Sequence, residues 1–160
     1  MKKYGFIALI GTLLMGGCLS NTEQTPCDPT PVSIKAPQAE VVALKKFIDT
    51  SRIAATADDR GFYYSIQSPG SGAKPTACSN VTVNYTGKLT TGSTFDSGNG
   101  VTFGLNQLIL GWQEGIPLVA PGGSITLYLP PSLAYGQQAQ SGIPANSILI
   151  FTIDLVRINQ

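Results

Sequence analysis

The segment 81–97, VTVNYTGKLTTGSTFDS, constrains the fold most, because apolar and polar residues alternate strictly along its first half. Strict alternation is typical of a half-buried β-strand, and it places Val83 and Tyr85 on the apolar face. The segment then passes two glycines, which favour backbone bends, and closes on Phe95 and Asp96. It carries no activated nucleophile, metal-ligand cluster or phosphate loop. We therefore predict that it forms part of an apolar pocket with one or two placed polar groups.

The composition of the 160-residue chain excludes several classes of enzyme. There is no histidine, which removes Ser-His-Asp and Cys-His mechanisms and the common zinc sites. The G-x-S-x-G, Walker and Rossmann motifs are also absent from the sequence. A formal net charge of +1 gives no electrostatic reason to expect a nucleic-acid partner. The many Gly, Pro, Thr and Ser residues favour one turn-rich, β-dominated domain with attachments.

The first residues resemble an export signal. An apolar run follows two lysines, is too short to remain as a membrane-spanning helix, and ends in Gly16-Gly17-Cys18. This arrangement resembles a bacterial lipoprotein signal, in which the cysteine becomes the lipidated first mature residue. We predict a signal peptide at residues 1–17 and a lipid on Cys18 that anchors the chain to a membrane. An ordinary secretory signal with an incidental cysteine is the alternative.

Residues 18–60 are predicted to form a lipid-anchored linker followed by a helix. The linker extends to Pro37 and is rich in proline and small polar residues, so it cannot bury much apolar area. From Gln38 to Arg52, apolar residues such as Leu44 and Ile48 recur at helical spacing. This helix is expected to pack on its own domain, and packing on a second copy to form a dimer is the alternative.

Two further cysteines, Cys27 and Cys78, remain once Cys18 is assigned to the lipid. An exported chain meets an oxidising compartment, where an even pair of cysteines can form a disulfide. Such a bond would fix the linker to the domain. Two free thiols are the alternative.

The rest of the chain predicts more strands and one short helix. Apolar residues at helical spacing between Leu108 and Ile116 predict a helix of about two to three turns, which carries Trp112. On this segment alone, Trp112 is predicted to be a core residue, with a place in a binding site as the alternative. A turn is predicted at Ser97–Gly100. The predicted strands are Phe62–Ile66, Val101–Phe103, Ser124–Pro130 and about Ser147 to Ile158. These elements predict an α+β domain in which antiparallel strands wrap around one short helix.

An ordered set of short motifs carries a resemblance to one family. The motifs are Val83-Asn84-Tyr85-Thr86-Gly87, Phe95-Asp96-Ser97, Leu108-Ile109-x-Gly111-Trp112-x-Glu114-Gly115, Pro121-Gly122-Gly123, Ala134-Tyr135-Gly136 and Ile143-Pro144-Ala145-Asn146-Ser147. Single pieces occur by chance, but the order and spacing of the whole set are specific. Residues 61–160 closely resemble the FKBP-type peptidyl-prolyl cis-trans isomerases. The segments ahead of them resemble the N-terminal extension of exported bacterial members.

The resemblance implies a half-barrel sheet around the short helix, with an apolar bowl between them as the active site. It implies that Ile109 presents its backbone N–H to a bound carbonyl, and that Trp112 forms the floor. Val101 occupies the position of a second wall aromatic in the family. The residues implied as catalytic are Tyr85, Asp96 and Tyr135. The residues implied as substrate-binding are Phe95, Val101, Leu108, Ile109, Trp112, Ile143 and Phe151.

The function implied by the resemblance is rotation of X–Pro bonds in unfolded or exported proteins, with no cofactor and no metal. Rotation about a bond requires no nucleophile, so the activity should depend only weakly on pH near neutrality. Macrolide inhibitors are further expected ligands. The predicted location is the cell envelope, on the outer membrane in preference to the inner one, with the domain periplasmic or surface-exposed. A binding module or holdase with poor turnover is the alternative function.

Overall fold

The computed structural model describes residues 27, 28, 30 and 33–159 of the chain, and the predicted signal and Cys18 lie outside them. The described residues form one antiparallel sheet and two α-helices, so the predicted α+β fold is confirmed. The strands are β1 (Thr56–Ala57), β2 (Tyr63–Ser68), β3 (Asn80–Leu89), β4 (Thr94–Gly104), β5 (Gly123–Leu129) and β6 (Leu149–Asn159), and the helices are α1 (Gln38–Thr50) and α2 (Leu110–Gly115). Short 3-10 turns occur at Leu105–Gln107, Ile116–Leu118 and Pro131–Leu133. The strand order across the sheet is β1-β2-β5-β6-β3-β4.

The main core lies between one face of this sheet and α2. The alternating apolar residues of β5 and β6, such as Leu127 and Ile153, are fully buried on that face. Helix α2 approaches β5 closely through its two glycines. A Cβ added at Gly115 would lie 2.5 Å from Leu127 Cδ1, and one added at Gly111 would meet Leu129. The glycine side of α2 therefore faces β5, and Trp112 of the same helix packs against aromatic residues of β3, β4 and β6.

Helix α1 packs on the opposite face of the sheet. Its buried residues Leu44 and Ile48 contact Tyr128, which alternates with the core residues of β5. This contact confirms the prediction that the helix packs on its own domain. Strand β5 is consequently buried on both faces, which explains why every residue from Ile125 to Leu129 is buried.

Most predicted strand ends differ from the structure by a few residues, and the two helices and the predicted turn at Ser97–Gly100 differ for identifiable reasons. Helix α1 ends at Thr50 instead of Arg52, because Arg52 adopts a left-handed conformation with φ of 53°. Helix α2 has only six residues, since Ile109 is still extended at its N-terminus and Pro117 shifts its end into a 3-10 turn. Ser97–Gly100 is a bulged part of the continuous strand β4.

The described part of the linker is docked on the domain rather than extended away from it. Cys27 and Cys78 are placed as a disulfide with a Cα–Cα distance of 5.7 Å. The backbone N–H of Ala36 donates to the carbonyl of Arg60 at 2.8 Å. Among the residues that the structure covers, no helix is long and apolar enough to cross a membrane.

Candidate active site

An open cavity of about 260 Å³ lies between α2 and the strands β3, β4 and β6. Strand alternation brings Tyr85 of β3 and Phe151 of β6 to the same face of the sheet, toward Trp112 of α2. The cavity is lined by Tyr85, Asp96, Phe103, Gln107, Leu108, Ile109, Trp112, Tyr135 and Phe151. Apolar rings and aliphatic side chains therefore supply most of its wall.

Trp112 forms the floor of this cavity and is the centre of an aromatic cluster. Its ring is edge-on to those of Tyr85 and Phe151, with both centroid distances at 5.2 Å, and to that of Phe103 at 6.1 Å. Phe95 packs edge-on against Phe151 at 5.5 Å. Edge-to-face contacts stabilise aromatic pairs beyond simple burial, so each ring fixes the orientation of its neighbours. Trp112 is therefore both a core residue and the floor of the cavity, so the two alternatives given for it from the sequence do not exclude each other.

A tyrosine–carboxylate pair bridges β3 and β4 at the cavity. The hydroxyl of Tyr85 donates to Asp96 Oδ2 at 2.8 Å, and the backbone N–H of Ser97 donates to Asp96 Oδ1 at 2.8 Å. Burial, followed by the hydrogen bond to Asp96, raises the pKa of Tyr85 to about 12. The phenol is therefore protonated throughout the physiological range and acts as a hydrogen-bond donor.

Tyr135 lies at the mouth of the cavity, beyond the 3-10 turn Pro131–Leu133. Burial, and then the negative charge of Asp96, raise the pKa of its phenol. This side chain also remains neutral and able to donate a hydrogen bond. The polar side chains of the cavity are therefore two neutral phenols, one carboxylate and the amide of Gln107, and none of them is positioned as a nucleophile with a base. Within the described ranges, no three His, Cys, Asp or Glu side chains come together to hold a metal ion.

The wall opposite the sheet consists of Leu108 and Ile109, in the segment that leads into α2. The side-chain amide of Gln113 donates to the carbonyl of Leu108 at 2.7 Å and fixes this segment. Ile109 is extended and precedes the helix, with the N–H groups of Trp112 and Gln113 bonded to its carbonyl. Among the described residues, none accepts a hydrogen bond from the backbone N–H of Ile109.

A second cavity of about 230 Å³ adjoins the first and shares Asp96 and Tyr135 with it. Its other lining residues are Phe95, Gln140, Ser141 and Ile143. Of the ten residues expected at the site, seven line the first cavity. Phe95 and Ile143 line the second cavity, and Val101 lines neither of the two.

Phe103, and not the residue at position 101, provides an aromatic ring to the wall of the cavity. The resemblance implied that Val101 occupies the position of that wall residue. The side chain of Val101 lies beside Gly98, where an added Cβ would be 2.7 Å from Val101 Cγ2. The bulge in β4 shifts the register between these residues, because Val83 pairs with Val101 whereas Tyr85 pairs with Gly98.

Sequence reasoning did not assign Phe103 and Gln107 to the site, although both line the first cavity. The alternation of β4 indicated that Phe103 points inward, and this was the available signal for it. Gln107 directly precedes the wall residue Leu108, but an exposed glutamine in a short turn has no distinctive pattern.

Comparison with known proteins agrees with this geometry. A family model described as FKBP-type peptidyl-prolyl cis-trans isomerase matches residues 71–156. The chain belongs to this family. The match includes β3, β4, α2 and Tyr135, and so it spans the elements that form the cavity.

Curated FKBP-type relatives match only part of their own length. The FKBP-type peptidyl-prolyl cis-trans isomerase FkpA of Aeromonas hydrophila is 43% identical over 106 residues, which cover 64% of this chain and 40% of the relative. The peptidyl-prolyl cis-trans isomerase Mip of Coxiella burnetii is 41% identical over 105 residues, covering 62% of this chain and 46% of the relative. The chain therefore spans less than half the length of these relatives.

Solved structures of peptidyl-prolyl cis-trans isomerases share the fold. The crystal structure of FkpA from Escherichia coli matches with a TM-score of 0.69 and 32% identity, covering 76% of this chain and 60% of that chain. A peptidyl-prolyl cis-trans isomerase from Pseudomonas syringae matches with a TM-score of 0.67 and 29% identity, covering 79% of this chain and 98% of that one.

Proposed function

We propose that this chain is a peptidyl-prolyl cis-trans isomerase that accelerates rotation about X–Pro bonds in exported proteins. The observation that carries the proposal is the aromatic cavity on Trp112, bordered by the Tyr85–Asp96 pair, in a chain of the FKBP-type family. The cavity, about 260 Å³, lies slightly below the roughly 300–1,000 Å³ of sites for drug-sized ligands. Its size suits a single proline ring and the amide bonds beside it.

The reaction needs only differential binding of a twisted amide. Amide resonance sets a rotation barrier of about 18–20 kcal/mol for a peptide bond. In the twisted state, the nitrogen loses conjugation and the carbonyl loses charge separation, so an apolar surrounding favours that state relative to the planar ones. An enzyme that binds the twisted state more tightly lowers the barrier, and each tenfold gain in rate requires about 1.4 kcal/mol.

Each part of the cavity has a defined task in this proposal. Trp112 and Phe151 hold the proline ring, while the carbonyl on its N-terminal side rotates. The N–H of Ile109 donates a hydrogen bond to a substrate carbonyl, as the resemblance implies. Tyr135 remains protonated, so it offers a hydrogen bond to the rotating amide without changing charge. The single O–H of Tyr85 donates to Asp96, so Tyr85 holds that carboxylate beside the amide. No covalent bond forms or breaks.

A protease-coupled assay on a short X-Pro peptide tests the activity. We expect the full chain to shorten the slow cis-to-trans phase in proportion to enzyme concentration. A rate equal to that of the uncatalysed control, with retained peptide binding, would leave a binding module or holdase as the function. Macrolide inhibitors are proposed as competitors for the first cavity, and their titration into the same assay measures that competition.

We also propose that the chain is a lipoprotein of the cell envelope, anchored through Cys18, with its domain in the periplasm or at the surface. The support is the basic start, the apolar run and Gly16-Gly17-Cys18 in the sequence. Mass spectrometry of the membrane fraction should find the mature chain starting at a lipid-modified Cys18. A Cys18→Ala variant that still fractionates with membranes would reject the anchor.

We propose that the chain is a monomer. The apolar stripe of α1, which includes Leu44 and Ile48, is buried on the sheet of the same chain and is not available to a second copy. Sedimentation of the soluble form, beginning after Cys18, should show a single monomeric species at micromolar concentration. A concentration-dependent dimer would reject this assignment.

A further inference from the structure

The N-terminal segment contacts all three elements that carry cavity residues outside the sheet. We call residues 33–40, together with Cys27, the brace. Its partners are the 3-10 turn before Tyr135, helix α2, and the 3-10 turn before Leu108. The contacts are three hydrogen bonds, in which Ile34 of the brace donates and Glu40 and Cys27 accept.

The first contact fixes the turn that leads to Tyr135 at the mouth of the cavity, which we call the rim. Glu40, in the first turn of α1, accepts a hydrogen bond at Oε2 from the backbone N–H of Ser132 at 2.8 Å. Ser132 lies in the turn Pro131–Leu133, and the N–H of Gly136 donates back to the carbonyl of Pro131 at 2.8 Å. Tyr135 is held between these two bonds. The carboxylate of Glu40 therefore fixes the base of the loop that presents the rim phenol.

The second contact fixes the floor. Glu114 lies two residues after Trp112 in α2 and is only 2% exposed. Its Oε1 accepts a hydrogen bond from the backbone N–H of Ile34 at 3.0 Å, and its Oε2 has no partner among the described residues. Burial of a carboxyl group is costly unless it is hydrogen-bonded. The brace supplies that hydrogen bond to the helix that carries the floor.

Charged groups around Glu114 belong to the segment that the brace also contacts. Arg60 is the cation that faces Glu114, and Asp58 and Asp59 are the anions. Arg60 forms an ion pair with Asp58 at 2.7 Å, and its carbonyl accepts the N–H of Ala36. Glu114 and Ala36 therefore both interact with the charged cluster around Arg60.

The third contact reaches the wall. The side-chain amide of Asn106 donates to Cys27 Sγ at 3.6 Å, and Asn106 lies in the turn Leu105–Gln107 that leads to Leu108. Cys27 is in turn joined to Cys78. The carbonyl of Ser79, the next residue, accepts the N–H of Leu105 at 2.9 Å. The same turn is therefore held from two sides by the region of the disulfide.

We propose that the brace is a positioning element of the active site, and that Glu40 and Glu114 are positioning residues that hold the rim and the floor through it. This inference rests on the proposed isomerase function. Neither carboxyl group lines the cavity, so both act through the backbone of elements that do. The segment that precedes the FKBP-type match is then part of the working site as well as a tether.

The test uses the full chain with paired variants. Glu40→Ala removes the acceptor for Ser132, Glu40→Gln retains an acceptor oxygen, and Lys46→Ala alters an exposed position of the same helix as the control. Glu40→Ala should lower kcat/KM by about three- to tenfold, because Glu40 does not touch the substrate and only part of the lost hydrogen-bond energy reaches the site. Glu40→Gln and Lys46→Ala should remain close to wild type. Hydrogen exchange should increase within residues 131–136 in Glu40→Ala only.

Glu114 is tested through the cavity floor. The chain contains one tryptophan, so its intrinsic fluorescence reports on Trp112 alone. Glu114→Leu places an apolar side chain of similar size in the buried position, but leucine cannot accept the hydrogen bond from Ile34. Glu114→Gln retains an oxygen that can accept it. We expect greater acrylamide quenching of Trp112 in the leucine variant and wild-type quenching in the glutamine variant.

The outcomes separate this inference from the proposed function. Wild-type exchange, quenching and kcat/KM in both Glu40→Ala and Glu114→Leu would overturn the positioning role. A loss of activity that follows the folded fraction, with normal exchange and quenching at 25 °C, would also overturn it. If the wild-type chain does not accelerate isomerisation at all, the proposed function fails, and exchange and quenching still decide whether the brace holds the rim and the floor.

Discussion

The hydroxyl of Tyr85 donates a 2.8 Å hydrogen bond to one carboxylate oxygen of Asp96, and the N–H of Ser97 occupies the other oxygen. Both oxygens of Asp96 are thus engaged by groups of the chain itself. Asp96 is therefore not arranged as a general base. In the proposed reaction, Asp96 acts on a bound amide through its charge and through the orientation that it gives to the phenol of Tyr85.

Asp96→Ala should lower kcat/KM by about tenfold or more, because a hydrogen bond to a charged group contributes about 1.5–3 kcal/mol. Asp96 is exposed, so the melting temperature should change little. Tyr85→Phe should show a comparable loss, since it removes the same bond from the other side. The protease-coupled assay and thermal unfolding measure both effects. Unchanged turnover in Asp96→Ala would contradict the role assigned to the pair.

Phe95→Ala and Phe151→Ala should differ in stability, although both should lower activity. Phe151 is 3% exposed and packs against Trp112, so its truncation should cost about 3–5 kcal/mol of unfolding free energy. Phe95 is only partly buried at the second cavity, and its truncation should cost clearly less. Urea denaturation beside the peptide assay separates the two effects. Equal losses of stability would show that Phe95 belongs to the core.

Most of the fold could be predicted from local pattern. The alternation in β3, β5 and β6 reveals strands because one face of each is buried in the core. The continuity of β4 was not predictable, because glycines and polar residues at Ser97–Gly100 are typical of a turn, and here they form a bulge held by pairing with β3. The brace was not predictable because its contacts are single hydrogen bonds to residues distant in sequence, such as the bond from the Ile34 N–H to Glu114.

The site could be predicted only in part. The resemblance placed Tyr85, Asp96 and Trp112 at one cavity, and the structure brings them together. It did not indicate that Phe103 replaces Val101 on the wall, since that depends on the register of the β4 bulge. The roles of these residues in catalysis remain predictions.

The Cys27–Cys78 pair should be recovered as a disulfide-linked peptide from the native protein digested without reduction. The structure places these cysteines with a Cα–Cα distance of 5.7 Å, within the usual range for a disulfide. The bond closes a loop of 51 residues, and such a constraint typically stabilises a domain by about 2–4 kcal/mol. A Cys27→Ser/Cys78→Ser variant should therefore unfold at a lower temperature. An unlinked Cys27 peptide in the native protein would exclude the bond.

Gly115→Ala should destabilise the domain and displace the cavity floor. The added Cβ would lie 2.5 Å from Leu127 Cδ1, so α2 has to move away from β5. Overpacking of this kind costs about 1–3 kcal/mol. Gly72→Ala is the control, because an added Cβ at this glycine meets nothing within 4 Å. Its φ of +90° introduces backbone strain, so this variant changes the backbone energy without overpacking. Comparison of Trp112 emission in the two variants isolates the packing effect, because only Gly115→Ala should change it.

Glu114 should make the stability of the chain depend on pH near neutrality. Burial, opposed by the positive charge of Arg60, raises the pKa of Glu114 from 4.5 to about 7. Because the folded state prefers the neutral carboxyl group, this contribution to stability is complete below pH 4.5 and disappears as the pH rises through about 7. The unfolding free energy of wild type should therefore fall relative to that of Glu114→Gln across this interval. Urea denaturation of both proteins at several pH values measures the difference, in which the contributions of Asp58 and other groups cancel. Parallel curves for the two proteins would show that Glu114 stays charged in the folded chain.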